Sequence, residues 1–451
     1  MKLYTLIVAA IAYTVTGCVF TEAPFLVDQG VEMVDEATAP DTERNEPEAG
    51  NPGHQEEPEP TAEPERAVEE APQEEEPAVE EEEAPVDPEE PGGYQEPEPR
   101  GERACGDFEP FELHPEGTPT HYRSGNEVRG WDPTVLVESD TGLFRAFYGN
   151  PVDGKMALFS ATSRDGLTWT AVNEGRPVLR GQPGEWDAAM ETSSVLQRNG
   201  VFHMWYLGYP CLIPEGQAGR HKCIGYATSE DGVSWDRRPE PVMQPELAFE
   251  QPFEKCHGGG SLEGCNEVYW DGGLQEPSVV WDDDQSVYKM WYTGTTLTRI
   301  QFERQGELQT RNVTQSKVGY ATSENGVDWV RRPQPVFQWT PEQYGEESWN
   351  FPVHTNVTAD PGGGYHLFYI GMYGLRHAYS ADGVNWERNV NNPMVPSWGE
   401  PGRKIQLGGP SAIWQEDGEV MLFHMMSTPG SNRYGGNGMR LALATGHCGA
   451  L

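Results

Sequence analysis

The stretch IGYATSEDGVSWDRRPEPVM at residues 224–243 returns along the chain. It recurs as VGYATSENGVDWVRRPQPVF at 318–337, as HAYSADGVNWERNVNNPMV at 377–395 and, more loosely, as LFSATSRDGLTWTAVNEGRPVL at 158–179. Each copy reads as a β-hairpin: a strand of alternating small and aromatic residues, a turn built on Asp-Gly or Asn-Gly, and a second strand carrying a Trp. An isolated hairpin cannot bury that indole, so the copies must stack on one another.

A second unit precedes each copy. It is clearest in PSVVWDDDQSVYKMWYTG at 277–294, with counterparts at 133–149, 193–208 and 355–371. A fifth, PSAIWQEDGEVMLFHMM at 410–426, leads into the strand-like MRLALAT at 439–445. Two hairpins per unit and five units predict an all-β chain folded as a five-bladed β-propeller of four-stranded blades. The fifth blade runs out of chain after three strands, and an open edge would expose unpaired backbone. FEPFEL, at 108–113, is expected to supply the missing outer strand from the other end.

What precedes the repeats is of another kind. MKLYTLIVAAIAYTVTGC pairs one lysine with an apolar run too short to span a bilayer as a mature helix, which reads as a signal peptide over 1–17. Its end resembles the lipobox of bacterial lipoproteins, which implies that Cys18 becomes a lipidated first residue. Val19 in place of the Asp that marks inner-membrane retention leans the expected anchorage toward the outer membrane. From Asp28 to Arg100 there are 27 Asp and Glu against three Arg, and Tyr94 is the only aromatic residue. Such a segment cannot offset its ordering entropy by burying apolar surface. Residues 18–103 are therefore expected to be a disordered Glu/Pro-rich linker, and 104–451 the propeller, taken to be a monomer. The propeller region is itself net −17, which excludes nucleic acid as a partner.

Seven cysteines, less a lipidated Cys18, leave an even six in an oxidising compartment. The expected disulfides are Cys211 with Cys223, Cys256 with Cys265, and Cys105 with Cys448, the last joining the two ends of the ring. No CxxC spacing supports a metal site from these cysteines.

Propeller topology places the start of each first strand at the mouth of the central channel, on the face that also receives the loops between strands two and three and between blades. That face carries the insertions 211–223, 244–273 and 296–317, whereas the opposite face has only tight turns. Aligning the first strands brings Asp132, Thr192, Glu276, His354 and Gly409 to the mouth. Two carboxylates across a funnel suit glycosidic cleavage, one ionised and one protonated.

The repeat, with WDP at 131–133 opening the first blade and EP at 276–277 opening the third, resembles the five-bladed propeller glycoside hydrolases: arabinanases and xylosidases, invertases, levansucrases and the related mannoside phosphorylases. The resemblance covers roughly 110–448. It implies Asp132 as base or nucleophile and Glu276 as general acid. It also implies a blade-two Asp that tunes the acid, and here that slot holds Thr192, with Glu191 one place earlier. Either a bulge brings Glu191 into the funnel or the third carboxylate is missing. Trp186 with Asp187 and Trp270 with Asp271, at matching offsets before their strands, are candidates for the cleft rim, where a sugar ring stacks on an indole; fastening the inter-blade loops is the competing role. Trp131 and His354 complete the candidate binding set. No cofactor is expected, with a central cation near His354 as the one exception the resemblance leaves open. The repeated SxDGxxW resembles the Asp-box of sialidases, short by one residue, and is expected to hold the fold. A non-catalytic glycan- or protein-binding propeller is the competing function.

Overall fold

The computed structural model describes residues 96–97, 107–114, 121–122, 128–211, 222–256, 268–304, 307–338, 353–371, 373–397, 407–415, 417–427 and 439–448. Cys18 and the signal peptide lie outside these residues, as does all but 96–97 of the linker. Among the described residues there are five sheets of at least four strands, antiparallel apart from His121–Tyr122, which pairs parallel with the outer strand of the first blade, and no α-helix.

The first four blades begin at Trp131–Val137, Ala189–Arg198, Gly273–Asp282 and Val353–Ala359, and each runs outward to a short fourth strand. Blade five is Leu407–Trp414, Glu419–Ser427 and Met439–His447, and its outer strand is Glu112–Leu113. Glu112 pairs with Thr445 and Leu113 with Ala444, so the N-terminal segment closes the ring as the repeat count required.

The SxDG turns hold the blades together. In blade one, Ser163 Oγ accepts the Gly166 N–H (3.0 Å), and Asp165 Oδ1 accepts the Leu167 and Thr168 N–H groups (2.9 and 2.6 Å). The glycine takes a left-handed φ of 71°, which a side chain would strain. The turn is then pressed against the preceding blade. Trp205 of blade two donates its indole N–H to Gly326 O of blade three (2.8 Å), and Trp291 of blade three donates to Gly383 O of blade four (2.7 Å). The repeat's own indoles pack backward likewise: Trp235 on Phe147, Trp329 on Trp205 and Trp386 on Trp291. Each Trp thus finds in the neighbouring blade the burial its hairpin cannot provide.

A second set of links encircles the channel. Two residues beyond each channel-mouth position stand Thr134, Ser194, Ser278, Asn356 and Ser411. Ser194 Oγ accepts the Val279 N–H (2.9 Å), Ser278 Oγ that of Val357 (2.7 Å), Asn356 Oδ1 that of Ala412 (2.9 Å) and Ser411 Oγ that of Val135 (2.9 Å). Thr134 donates to the Ser193 carbonyl and completes the circle. Every first strand is thereby tied by one short polar side chain to the next, at one level.

The insertion at 296–317 is more regular than its sequence suggested. The second and third strands of blade three, Val287–Arg304 and Glu307–Ser323, stay paired from Tyr288 with Ser323 out to Arg304 with Glu307. Gly273, the start of the first strand, pairs with Thr295. The ribbon therefore continues past the mouth for roughly 30 Å at the usual strand rise.

Candidate active site

Four of the five channel-mouth residues share an uncommon backbone. Asp132, Thr192, Glu276 and His354 all have left-handed φ, at 45°, 34°, 54° and 50°. In every blade the pairing of first and second strands slips at this point: between Trp131 and Thr134, Glu191 and Ser193, Gln275 and Ser278, Val353 and Asn356, and Leu407 and Pro410. Such bulges re-aim one side chain.

The side chains converge. His354 Nδ1 lies 2.8 Å from Asp132 Oδ1 and 3.4 Å from Glu276 Oε1, within ion-pairing reach of both and aligned as a hydrogen bond with neither. Two oxygens within reach of one nitrogen are less than about 7 Å apart, no wider than the spans that glycosidase carboxyl pairs occupy. Asp132 is 8 % exposed and Glu276 4 %, whereas 29 % of the His354 side chain still faces the funnel. Asp132 also accepts the Thr192 hydroxyl (3.0 Å) and the Gly409 N–H (3.1 Å). Glu276 Oε2 accepts the Thr293 hydroxyl (2.8 Å) and the His354 backbone N–H.

Charge follows from this geometry. Burial alone would lower the His354 pKa, but the charge of Asp132, then that of Glu276, the close Asp132 contact and the charge of Glu191 push it up to about 10. Burial would raise Asp132, yet the His354 charge and contact, the Gly409 N–H and the Thr192 hydroxyl hold its carboxyl below the usual range. The bulge in blade two is present, with Thr192 at the left-handed position. Glu191 stands one residue before it, half-buried beside Gly149, and its charge reaches His354. The channel space lined by Asp132, Thr192, Ser193, His354, Thr355 and Gly409 encloses about 300 Å3, its open mouth included.

Among the described residues, no His, Cys, Asp and Glu side chains are grouped so as to hold a metal ion. His354 Nδ1 is turned onto the two carboxylates.

Of the two roles open to Trp186 and Asp187, the structure shows loop fastening. Asp187 is fully buried; its Oδ2 accepts the Tyr206 hydroxyl (2.7 Å) and its Oδ1 pairs with Arg237. Trp186 stacks on Tyr206 and donates to Pro239 O (2.7 Å). Both fasten the loop entering blade two to that blade's outer strand, so Asp187 offers no oxygen to a cleft. Blade three repeats the device with Glu250, Tyr292 and Arg331. Repeated Arg in WDRRP and WVRRP, opposite Tyr in both MWY triplets, was the signal that sequence reading passed over. Trp131 is half-buried against Met156, Ala189, Leu207 and Tyr209 at the seam of blades one and two. Trp270 and Asp271 end the strand Val268–Asp271, which pairs with Phe253–Cys256. Cys211 and Cys223 form a disulfide. Cys105 and Cys265, the expected partners of Cys448 and Cys256, lie outside the described residues.

No family model matches the chain. Over 254 residues it is 25 % identical to a 1,2-β-oligomannan phosphorylase of Thermoanaerobacter sp. (strain X514), a match spanning 55 % of this chain and 69 % of that protein. Among solved structures, a complex of BT0996 with RGII superposes with a TM-score of 0.50 at 18 % identity, over 76 % of this chain and 92 % of that one. A thermostable family-43 glycoside hydrolase gives 0.49 at 14 % identity, over 70 % and 88 %. The shared feature is the fold. The chain is a five-bladed β-propeller.

Proposed function

We propose that this propeller acts on a glycosidic bond of an oligo- or polysaccharide laid across the channel mouth. Asp132 serves as base or nucleophile, and Glu276 hands the proton to the leaving oxygen. One observation carries the reading: acids from blades one and three, far apart in sequence, meet at a single nitrogen at the open end of the channel. The likeness to an oligomannan phosphorylase supports a carbohydrate substrate and adds phosphate as a candidate acceptor beside water. The proposal extends to the N-terminus, where Cys18 carries the lipid and the acidic linker holds the propeller off the outer membrane, with carbohydrate and membrane lipid as its partners.

The test is product release from mannan, arabinan, xylan and fructan oligosaccharides, with and without inorganic phosphate, by wild type, Asp132→Asn and Glu276→Gln. The expected outcome is release by wild type and a loss of 10²-fold or more in each variant. Equal release by all three would remove both residues from the chemistry. A second reading, glycan capture without turnover, is favoured by how fully both carboxylates are already occupied by donors. It predicts binding by wild type with no release under either acceptor condition.

A further inference from the structure

The long ribbon of blade three rises from the strand that carries Glu276. Residues opposite each other in an antiparallel pair share a face, and alternate residues along a strand return to it. One ribbon face therefore carries Thr293, Thr295, Leu297 and Arg299 on the second strand, with Leu308 and Thr310 on the third. The root of this face belongs to the funnel. Thr293 Oγ1 donates to Glu276 Oε2 (2.8 Å), and Gln275 Nε2, one residue before the acid, donates to Thr295 Oγ1 (2.8 Å). Those four residues are buried. Past the mouth the same face opens: Leu297 is 43 % exposed and Leu308 71 %, and Arg299 and Thr310 are exposed as well. Thr296 and Thr298, on the opposite face, are half-buried. The face open to solvent is thus the one that begins on the acid.

Resting on the glycosidic reading above, we propose that this ribbon face is a binding rail for a neutral polysaccharide, the substrate class of the channel mouth. The rail continues for roughly 30 Å beyond the mouth at the usual strand rise, far longer than one sugar ring. Its exposed hydroxyl, guanidinium and leucine side chains match a sugar chain, which presents hydroxyls at its ring edges and C–H groups on its ring faces. Hydrogen bonds at the root fix the face relative to Glu276, so little ordering of the protein opposes binding. Charge selects among occupants. The propeller region is net −17, which disfavours both a polyanionic glycan and a second copy of this chain.

The rail also has a polarity. A general acid stands beside the leaving oxygen, so a face that starts at Glu276 holds the part of the glycan that departs with the proton. Leu297, Arg299, Leu308 and Thr310 are then specificity-determining residues for that departing chain. They stand clear of the bond that breaks.

The test compares the full-length wild type with two variants. One combines Arg299→Ala with Thr310→Ala. The other replaces residues 299–312 by Asn-Gly, a two-residue turn that closes the ribbon at the Thr298–Val313 pair. The probes are whichever of mannan, arabinan, xylan and fructan the wild type cleaves, and the trisaccharide of the same sugar. Wild type is expected to prefer the polymer in kcat/KM. The double variant should lower that preference roughly 10-fold through KM, the effect of two lost neutral hydrogen bonds, with kcat held. The shortened ribbon should abolish it. An unchanged preference in the double variant and in a folded shortened ribbon overturns the rail; should the shortened ribbon not fold, the surface double variant decides alone. A dimer that the shortened ribbon turns into a monomer in sedimentation, with the preference intact, makes the ribbon a subunit arm and overturns the rail too. If wild type cleaves none of the four polymers, the glycosidic reading falls, and affinity electrophoresis in gels containing them decides the rail separately. Retardation of wild type that the variants lose upholds the rail, and absence of retardation overturns it.

Discussion

Asp187→Ala separates fastening from sugar binding. Asp187 has no solvent exposure, and its two oxygens serve the Tyr206 phenol and the Arg237 guanidinium. Truncation leaves the Tyr206 hydroxyl, itself in a residue with no exposed surface, without an acceptor, at about 1–3 kcal/mol. Arg237 keeps Glu185 at 2.7 Å and is 20 % exposed, so its loss falls below the 3–5 kcal/mol of a fully buried broken pair. The expected total is ~3–4 kcal/mol, read as a lowered urea midpoint with unchanged slope. Tyr206→Phe in the same background should cost less than alone, giving a coupling of about 1–3 kcal/mol. Glu250→Ala should behave alike in blade three, where Tyr292 and Arg331 occupy the same places. If Asp187→Ala unfolds at the wild-type midpoint but binds glycan more weakly, Asp187 lines the cleft after all and its fastening role is refuted.

Gly383→Ala should destabilise the fold by about 2–5 kcal/mol in thermal or chemical unfolding. The glycine sits at φ 84°, and an added Cβ would lie 2.6 Å from the Trp291 ring, so strain and overpacking combine. A second expectation concerns acid. Burial opposes ionisation of Asp165 and Asp382, yet the N–H groups beyond each turn hold both carboxyls below their ordinary 3.8. At Asp231 the Ser234 N–H is the leading cause of the same shift. Depressed folded values contribute stability that is present above pH 3.8 and lost as pH falls through them. Replacing all three by Asn, the residue that blade three already uses as Asn325, should flatten the loss of stability below pH 4 in acid unfolding curves. An unaltered acid midpoint would show that these carboxylates do not set it.

The blade count, the turns and the strand starts were legible because they recur. SxDG followed by Trp repeats with near-constant spacing, and each blade needs the same hairpins. Even the missing fourth strand could be located, since FEPFEL was the strand-like segment upstream of the first unit. The polar circle around the channel was equally periodic at Thr134, Ser194, Ser278, Asn356 and Ser411. It went unread because small polar residues on a strand look like ordinary alternation until their partners, up to 276 residues away, are known. Topology alone sends Asp132 and Glu276 to the mouth, where their side chains meet. That His354 would stand between them was not foreseeable. It depends on four residues adopting the same left-handed bulge, a backbone choice that Asp, Thr, Glu and His do not announce. The sequence could not choose between the two roles of Asp187, because a Trp-Asp pair beside a strand carries the same letters whether it faces water or a buried arginine.

Because Glu112 and Leu113 pair with Ala444 and Thr445, the last blade is assembled from the opening and final stretches of the domain. A growing polypeptide cannot finish this circle until the strand Met439–His447 has left the ribosome. Four blades must wait with an unsealed flank meanwhile, and nicking or truncation within Met439–His447 should therefore undo the whole domain rather than trim it.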